Sequence, residues 1–170
     1  MKAKSITLCG LFAALMVLCA WISIPVFDTA ITLQSFALVL ALLLLGGKRS
    51  TATITVYLML GAVGAPVFSG FQSGFGILLG PTGGYLWGFL VGALVYWAYT
   101  AICGETHRLP GVILAMLVCY GCGVGWYYFA YAQGAAVLVF IRYVLPCLLP
   151  DAAKIWLAFT LAKTLRQRLS

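Results

Sequence analysis

Residues 34 to 50 read "QSFALVLALLLLGGKRS": after Gln34 and Ser35 come ten side chains with no polar atom, then two glycines and two bases. An apolar run stopped by glycine and finished by Lys48 and Arg49 is how a helix leaves a bilayer, because glycine ends the helix and the bases meet the charged interface. The rest of the chain follows the same grammar. Of 170 residues, 64% are hydrophobic and only 8% charged, against about 25% charged in an ordinary soluble domain. The mean hydropathy is +1.10. This composition implies an all-α integral membrane protein.

A spanning helix needs about 20 mostly apolar residues, which leaves room for six transmembrane helices and no further soluble domain. The runs fall at about 5–26, 34–46, 50–66, 84–102, 110–131 and 147–166, one membrane domain over residues 1–170. The first run follows Lys2 and Lys4 and continues past twenty residues without a small-residue cleavage pattern, so it reads as a retained span rather than a signal peptide. Residues 134–145, "GAAVLVFIRYVL", are too few to cross and are followed by Pro146 and Pro150. They read as an interfacial or re-entrant piece.

The net charge of +7 sits in small groups at the ends of apolar runs. With both termini inside a plasma membrane, the cytoplasmic segments collect Lys2, Lys4, Lys48, Arg49, Arg108, Lys163, Arg166 and Arg168, and only Arg142 lies outside. The outer loops are then 26–34, 67–84 and 131–147. Nucleic-acid binding is disfavoured, since no basic face alternates with exposed aromatics. Cys9, Cys19, Cys103, Cys119, Cys122 and Cys147 fall mostly inside spans, where a thiol behaves as a small apolar group, so no disulfide framework is expected. Cys119 and Cys122 form a CxxC without a second pair, and His107 is the lone histidine; neither makes a metal site. "GGKRST" fails the phosphate-loop pattern, with Arg49 after the lysine and Leu42 where a glycine belongs, and "GFGILLG" misses GxGxxG spacing by one residue.

Two features stand out from this background. The segment "GILLGPTGGYL" (76–86) holds four glycines, one proline and no charge, and belongs to the outer face. Such a segment beside a helix start can bring backbone N–H groups close to a ligand, or it can be a flexible connector with turns at Pro81 and Gly83–Gly84. The second is "LPDAAKIWLAF" (149–159), which puts Asp151 and Lys154 in an apolar span. A charge in mid-membrane costs about 2.5–3.5 kcal/mol on insertion scales, so it marks a functional site by default. Three residues apart, the two lie on one helix face. The plainer reading makes Asp151 a first-turn carboxylate after Pro150, with Lys154 reaching the interface. An acid and an amine near the outer surface suit a small ligand with hydrogen-bond donors and a negative group. Of Tyr85, Trp87, Trp126, Tyr127, Tyr128 and Tyr131, one or two would face it and the others would form the interface belt.

In order and spacing, "ITLQSFALVLALLLLGGKRS" (31–50), "VYLMLGAVGAPVFSG" (56–70), "GFGILLGPTGGYLWGF" (74–89) and "LPDAAKIWLA" (149–158) resemble the BioY family, the biotin-binding membrane component of energy-coupling factor (ECF) vitamin transporters. The resemblance covers about 31–95 and 146–162, and 100–145 carries little of it. It implies a six-helix substrate-binding S component with biotin near the outer surface. Asp151 and Lys154 would bind it, together with the loop residues Gly80, Pro81, Thr82, Gly83, Gly84 and Tyr85, and Gln34 from "TLQ". It also implies separate ATPase subunits and an EcfT-like membrane coupling subunit, since no nucleotide motif occurs here. Family members dock through an AxxxA on the first helix; "LCGLFAALMV" (8–17) offers Gly10 and Ala14 at that spacing, with Cys9 and Ala13 beside them, for docking or for internal packing. Neither a metal nor a cofactor is expected; biotin is the transported ligand. Two other classes remain: a stand-alone carrier or channel for a small anionic solute, and a membrane enzyme, which the lack of a nucleophile–base pair or metal cluster disfavours.

Overall fold

The computed structural model describes residues 3–26, 29–104, 107–131 and 144–169. Among these the long elements are helical: α1 (Ala3–Trp21), α2 (Gln34–Leu45), α3 (Gly47–Ala62), a five-residue α4 (Phe75–Leu79), α5 (Gly83–Cys103), α6 (Arg108–Ala130) and α7 (Leu145–Leu169). Helix is the expected answer for uninterrupted apolar runs, because without water the backbone must satisfy its own hydrogen bonds, and a helix does so within one segment. By length and hydropathy α5 and α6 are each able to cross a membrane; α1 from Ser5 and α2 are shorter apolar helices. At twelve residues, α2 rises only about 18 Å.

The first apolar run departs from its expected bounds. It is helical only to Trp21, and Ser23–Val26 (β1) pairs antiparallel with Thr29–Thr32 (β2), in a register that sets Ser23 against Thr32. What reads as the end of a span and a polar loop is thus a β-hairpin. Its β-branched residues Ile24, Val26, Thr29, Ile31 and Thr32 favour a strand over a helix end. α3 starts at Gly47 and stops at Ala62, earlier than the expected 50–66. The piece expected at 134–145 falls almost wholly outside the described residues.

α2 is the hub and packs against α1, α3, α5, α6 and α7. Its residues Ala37 to Leu43 are all buried. At its C-terminal end, guanidinium N–H groups of Arg108 and Arg166 both donate to the Leu43 carbonyl, which places positive charge at the negative pole of the helix. Gly46, at φ 76°, turns the chain directly into α3.

α5 and α6 form the tightest helix pair, and glycine explains how. Gly84, Gly88 and Gly92 recur every fourth residue, and a Cβ placed on them would stand 2.8, 2.8 and 2.7 Å from the carbonyl oxygens of Cys122, Cys119 and Ala115. Only hydrogen fits there, so the backbones meet directly. Gly123 answers from α6, where a Cβ would stand 2.4 Å from the Tyr85 ring.

The glycine-rich segment is a built structure rather than a loose connector. The carbonyls of Leu78, Leu79 and Gly80, at the end of α4, accept hydrogen bonds from Trp87 Nε1 (3.1 Å), the Tyr131 hydroxyl and Trp126 Nε1 (3.1 Å). Three of the aromatics that read as an interface belt therefore tether this turn to α5 and α6. Ahead of it, Trp21 donates to the Pro66 carbonyl (2.9 Å) and its ring lies 4.7 Å from Phe71, which ties α1 to the α3–α4 connection. The six cysteines are all free thiols.

Candidate functional site

The helix face that carries Asp151 is set by packing. Asp151, Ala158 and Ala162 are buried on α7 and Lys154 is partly buried beside them, at spacings of three, four and seven residues, while Trp156, Leu157 and Leu161 face outward. Because α7 begins at Leu145, Asp151 is its seventh residue and Pro150 lies inside the helix. The first-turn capping reading of Asp151 therefore fails. Asp151 is 7% exposed, and burial of a carboxylate at that level needs partners.

It has them. Oδ1 accepts from Ser35 Oγ (2.7 Å) and from Lys154 Nζ (2.7 Å), and Oδ2 accepts from the Tyr120 hydroxyl. Lys154 Nζ also donates to the Thr32 carbonyl (2.6 Å) and to Ser35 Oγ (3.2 Å), so each of its three protons has an acceptor. The network gathers the β-hairpin, the start of α2, the middle of α6 and α7 around one ion pair. A second chain of bonds runs beside it: Gln34 Nε2 donates to the Tyr57 hydroxyl (2.7 Å), which donates to the Val67 carbonyl (3.0 Å).

This network forms one wall of a cavity of about 640 Å³ at the end of the bundle where α2, α5 and α7 begin. That volume suits a small organic molecule. Ser23, Ile31 and Thr32 of the hairpin and Phe68, Ser69, Gly70 and Gln72 of the α3–α4 connection border it, and so do Ile77, Gly80, Pro81 and Thr82. Leu86, Phe89, Met116 and Cys119 give it an apolar wall. An ion pair within hydrogen-bonding reach of a hydrophobic slot can read a ligand that is apolar in body and polar at one edge.

The sequence-derived candidates divide cleanly. Asp151, Lys154, Gln34, Tyr85, Gly80, Pro81 and Thr82 all line this one cavity. Gly83 and Gly84 do not: Gly83 packs on the Leu78 carbonyl and Gly84 on Trp126 and the Cys122 carbonyl, so their role is close packing beneath the site. Of the six aromatics singled out, only Tyr85 borders the cavity. On α1, Gly10 and Ala14 are exposed on one open face, but Ala13 is 4% exposed and faces the bundle, as does Cys9. Ala13 is thus corrected from a docking residue to a core residue.

Sequence reasoning missed Ser35, Thr32 and Tyr120. Ser35 follows Gln34 in the stretch quoted at the outset, and its hydroxyl at a helix start was a legible signal, whereas Thr32, two residues before Gln34, takes part through its backbone carbonyl. Tyr120 offered only the oddity of a phenol in the middle of "MLVCYGCGV", a polar group far from the interface.

The chain matches the BioY family model over residues 1–170. It is 36% identical over 166 residues to the probable biotin transporter BioY of Pyrococcus horikoshii, covering 98% of each chain. It is 38% identical over 133 residues to the biotin transporter BioY of Rhodobacter capsulatus, covering 77% of this chain and 67% of that one. The biotin transporter BioY of Thermotoga maritima is 50% identical over 86 residues, a match spanning about half (51%) of each chain. A crystal structure of the S-component for biotin from an ECF-type ABC transporter superimposes with a TM-score of 0.87, at 24% identity, over 98% of this chain and 92% of that one, and so shares its fold. By sequence along its whole length, this chain belongs to the BioY family.

Proposed function

We propose that this chain is the substrate-specific membrane component of an energy-coupling factor transporter and takes up biotin. The observation that carries the reading is the Asp151–Lys154 pair, held at 2.7 Å on the wall of a cavity that is otherwise largely apolar. Family membership and relatives named as biotin transporters support it. Biotin is chemically matched to such a slot. Its ureido ring offers two N–H donors and a carbonyl, its sulfur ring is apolar, and its valerate tail ends in a carboxylate.

In this reading Asp151 accepts a ureido N–H, and Lys154 with donors of the glycine turn answers ligand oxygens. Gln34, Tyr85, Gly80 and Thr82 complete the polar rim. Lys154 already has an acceptor for each proton, so a ligand oxygen takes the place of one of them. The neutral Thr32 carbonyl is the cheapest to release, since giving up Asp151 would separate two charges in a poorly solvated place. Selectivity follows from burial: an analogue lacking the matching group leaves a desolvated charge unpaired.

The surrounding topology is also proposed. Six transmembrane helices cross the plasma membrane with both termini cytoplasmic and the cavity facing outward, as the distribution of lysine and arginine implies. The exposed Gly10–Ala14 face of α1 docks an EcfT-like coupling subunit by close helix approach, and ATPase subunits of the ECF module supply the energy. Binding of radiolabelled biotin by the purified protein, with uptake into vesicles that depends on added coupling and ATPase subunits, supports the proposal. Uptake by the chain alone, lost when the ion pair is removed, would favour a stand-alone carrier instead.

A further inference from the structure

Tyr120 lies in the part of the chain where the sequence carried least information, yet its hydroxyl donates to Asp151 Oδ2 and its side chain borders the cavity beside Asp151. The two oxygens of Asp151 are not equivalent. Oδ1 already has two donors, Ser35 and Lys154, which fill its lone pairs. Oδ2 has Tyr120 as its donor among the described residues.

We infer that Tyr120 is a specificity-determining residue that donates its phenol hydrogen to the ureido carbonyl of the ligand while Asp151 Oδ2 accepts the neighbouring ureido N–H; this rests on the biotin reading above. A cyclic urea carries an N–H and its C=O on one edge, separated by a single carbon. The facing edge must then set an acceptor and a donor one hydrogen bond apart. Asp151 Oδ2 and the Tyr120 hydroxyl stand in that relation to each other.

The exchange leaves no partner behind. Before binding, Oδ2 holds the phenol hydrogen; after it, Oδ2 holds the ureido hydrogen and the phenol turns about its C–O bond onto the carbonyl oxygen. Lys154 keeps Asp151 Oδ1 and Ser35 throughout, and its Thr32 bond is the one left to pass to another ligand oxygen. A route in which Lys154 answered the ureido carbonyl would cost one of those three bonds and gain one. Tyr120 makes the same contact while Asp151 is repaid by the ligand, so it is the better-placed donor to that carbonyl, and Lys154 is left for the ion pair and for a ligand oxygen other than the ureido carbonyl.

The test uses the full-length protein, with biotin and its 2-thio analogue, whose C=S is a poor hydrogen-bond acceptor, measured by equilibrium binding for wild type and Tyr120→Phe. Wild type is expected to favour biotin over the thio analogue by about tenfold or more, and Tyr120→Phe to lose about 10- to 100-fold for biotin but threefold or less for the thio analogue. An equal loss for both ligands would reduce Tyr120 to a support for Asp151 and overturn the inference. So would a wild type that binds the oxo and thio forms alike, a result that stands whether or not the variant folds. A wild type that binds neither would instead overturn the biotin reading itself.

Discussion

Replacing Asp151 with asparagine removes one charge and keeps the shape. Lys154, whose side chain is 11% exposed, then loses the counter-ion 2.7 Å away while still being held by Thr32 and Ser35. Removing one partner of a buried pair costs about 3–5 kcal/mol, and for a chain of this length about 1 kcal/mol corresponds to 2–4 °C, so Tm should fall by on the order of 10 °C. Biotin binding should weaken about 10- to 100-fold or more, because a charge-assisted hydrogen bond is lost. The double change Asp151→Asn with Lys154→Met separates the two effects. With no unpaired charge left, stability should return to within about 1 kcal/mol of wild type or exceed it, while binding stays lost. Thermal unfolding in detergent, followed beside equilibrium binding of radiolabelled biotin, reads both. A double variant as unstable as the single one, or one that regains biotin binding, would refute the assignment of this pair as a ligand-reading element held at a stability cost.

Other consequences are local. Gly88→Leu should destabilise the protein by about 1–3 kcal/mol, because even a Cβ would lie 2.8 Å from the Cys119 carbonyl, whereas Gly121→Ala, with open space around it, should shift Tm by a degree or two at most. Gly10→Leu with Ala14→Leu should leave biotin binding within about twofold and abolish ATPase-dependent uptake by blocking close helix approach; uptake at the wild-type rate would move the docking surface elsewhere. Ala13→Leu, by contrast, should lower Tm without a selective effect on uptake, since Ala13 is buried in the bundle.

Much of this architecture was readable from hydropathy, and the misreadings have physical causes. The runs at 84–102, 110–131 and 147–166 became α5, α6 and α7 with shifts of one to three residues, because an uninterrupted apolar sequence leaves a helix little alternative. The end of the first run was misjudged because Ile22 to Val26 is as apolar as a span, and only its β-branched pattern hints at the hairpin. Asp151 and Lys154 were legible because charge in an apolar span is costly and therefore conspicuous. Gly83 and Gly84 were conspicuous for the wrong reason: glycine serves ligand approach and backbone packing equally well, and the spacing of Gly84, Gly88 and Gly92 was the clue to packing. Tyr120 and Ser35 were hidden because their importance comes from contacts with Asp151 across 31 and 116 residues of sequence, which no local pattern records.

The most direct measurement is a crystal structure of the protein purified with biotin. The bicyclic head is expected in the cavity bordered by Gln34, Tyr85 and Met116, with a ureido nitrogen within hydrogen-bonding distance of Asp151 and the glycine turn closed over the ligand. Biotin located elsewhere, or the Asp151–Lys154 pair untouched by it, would contradict the account.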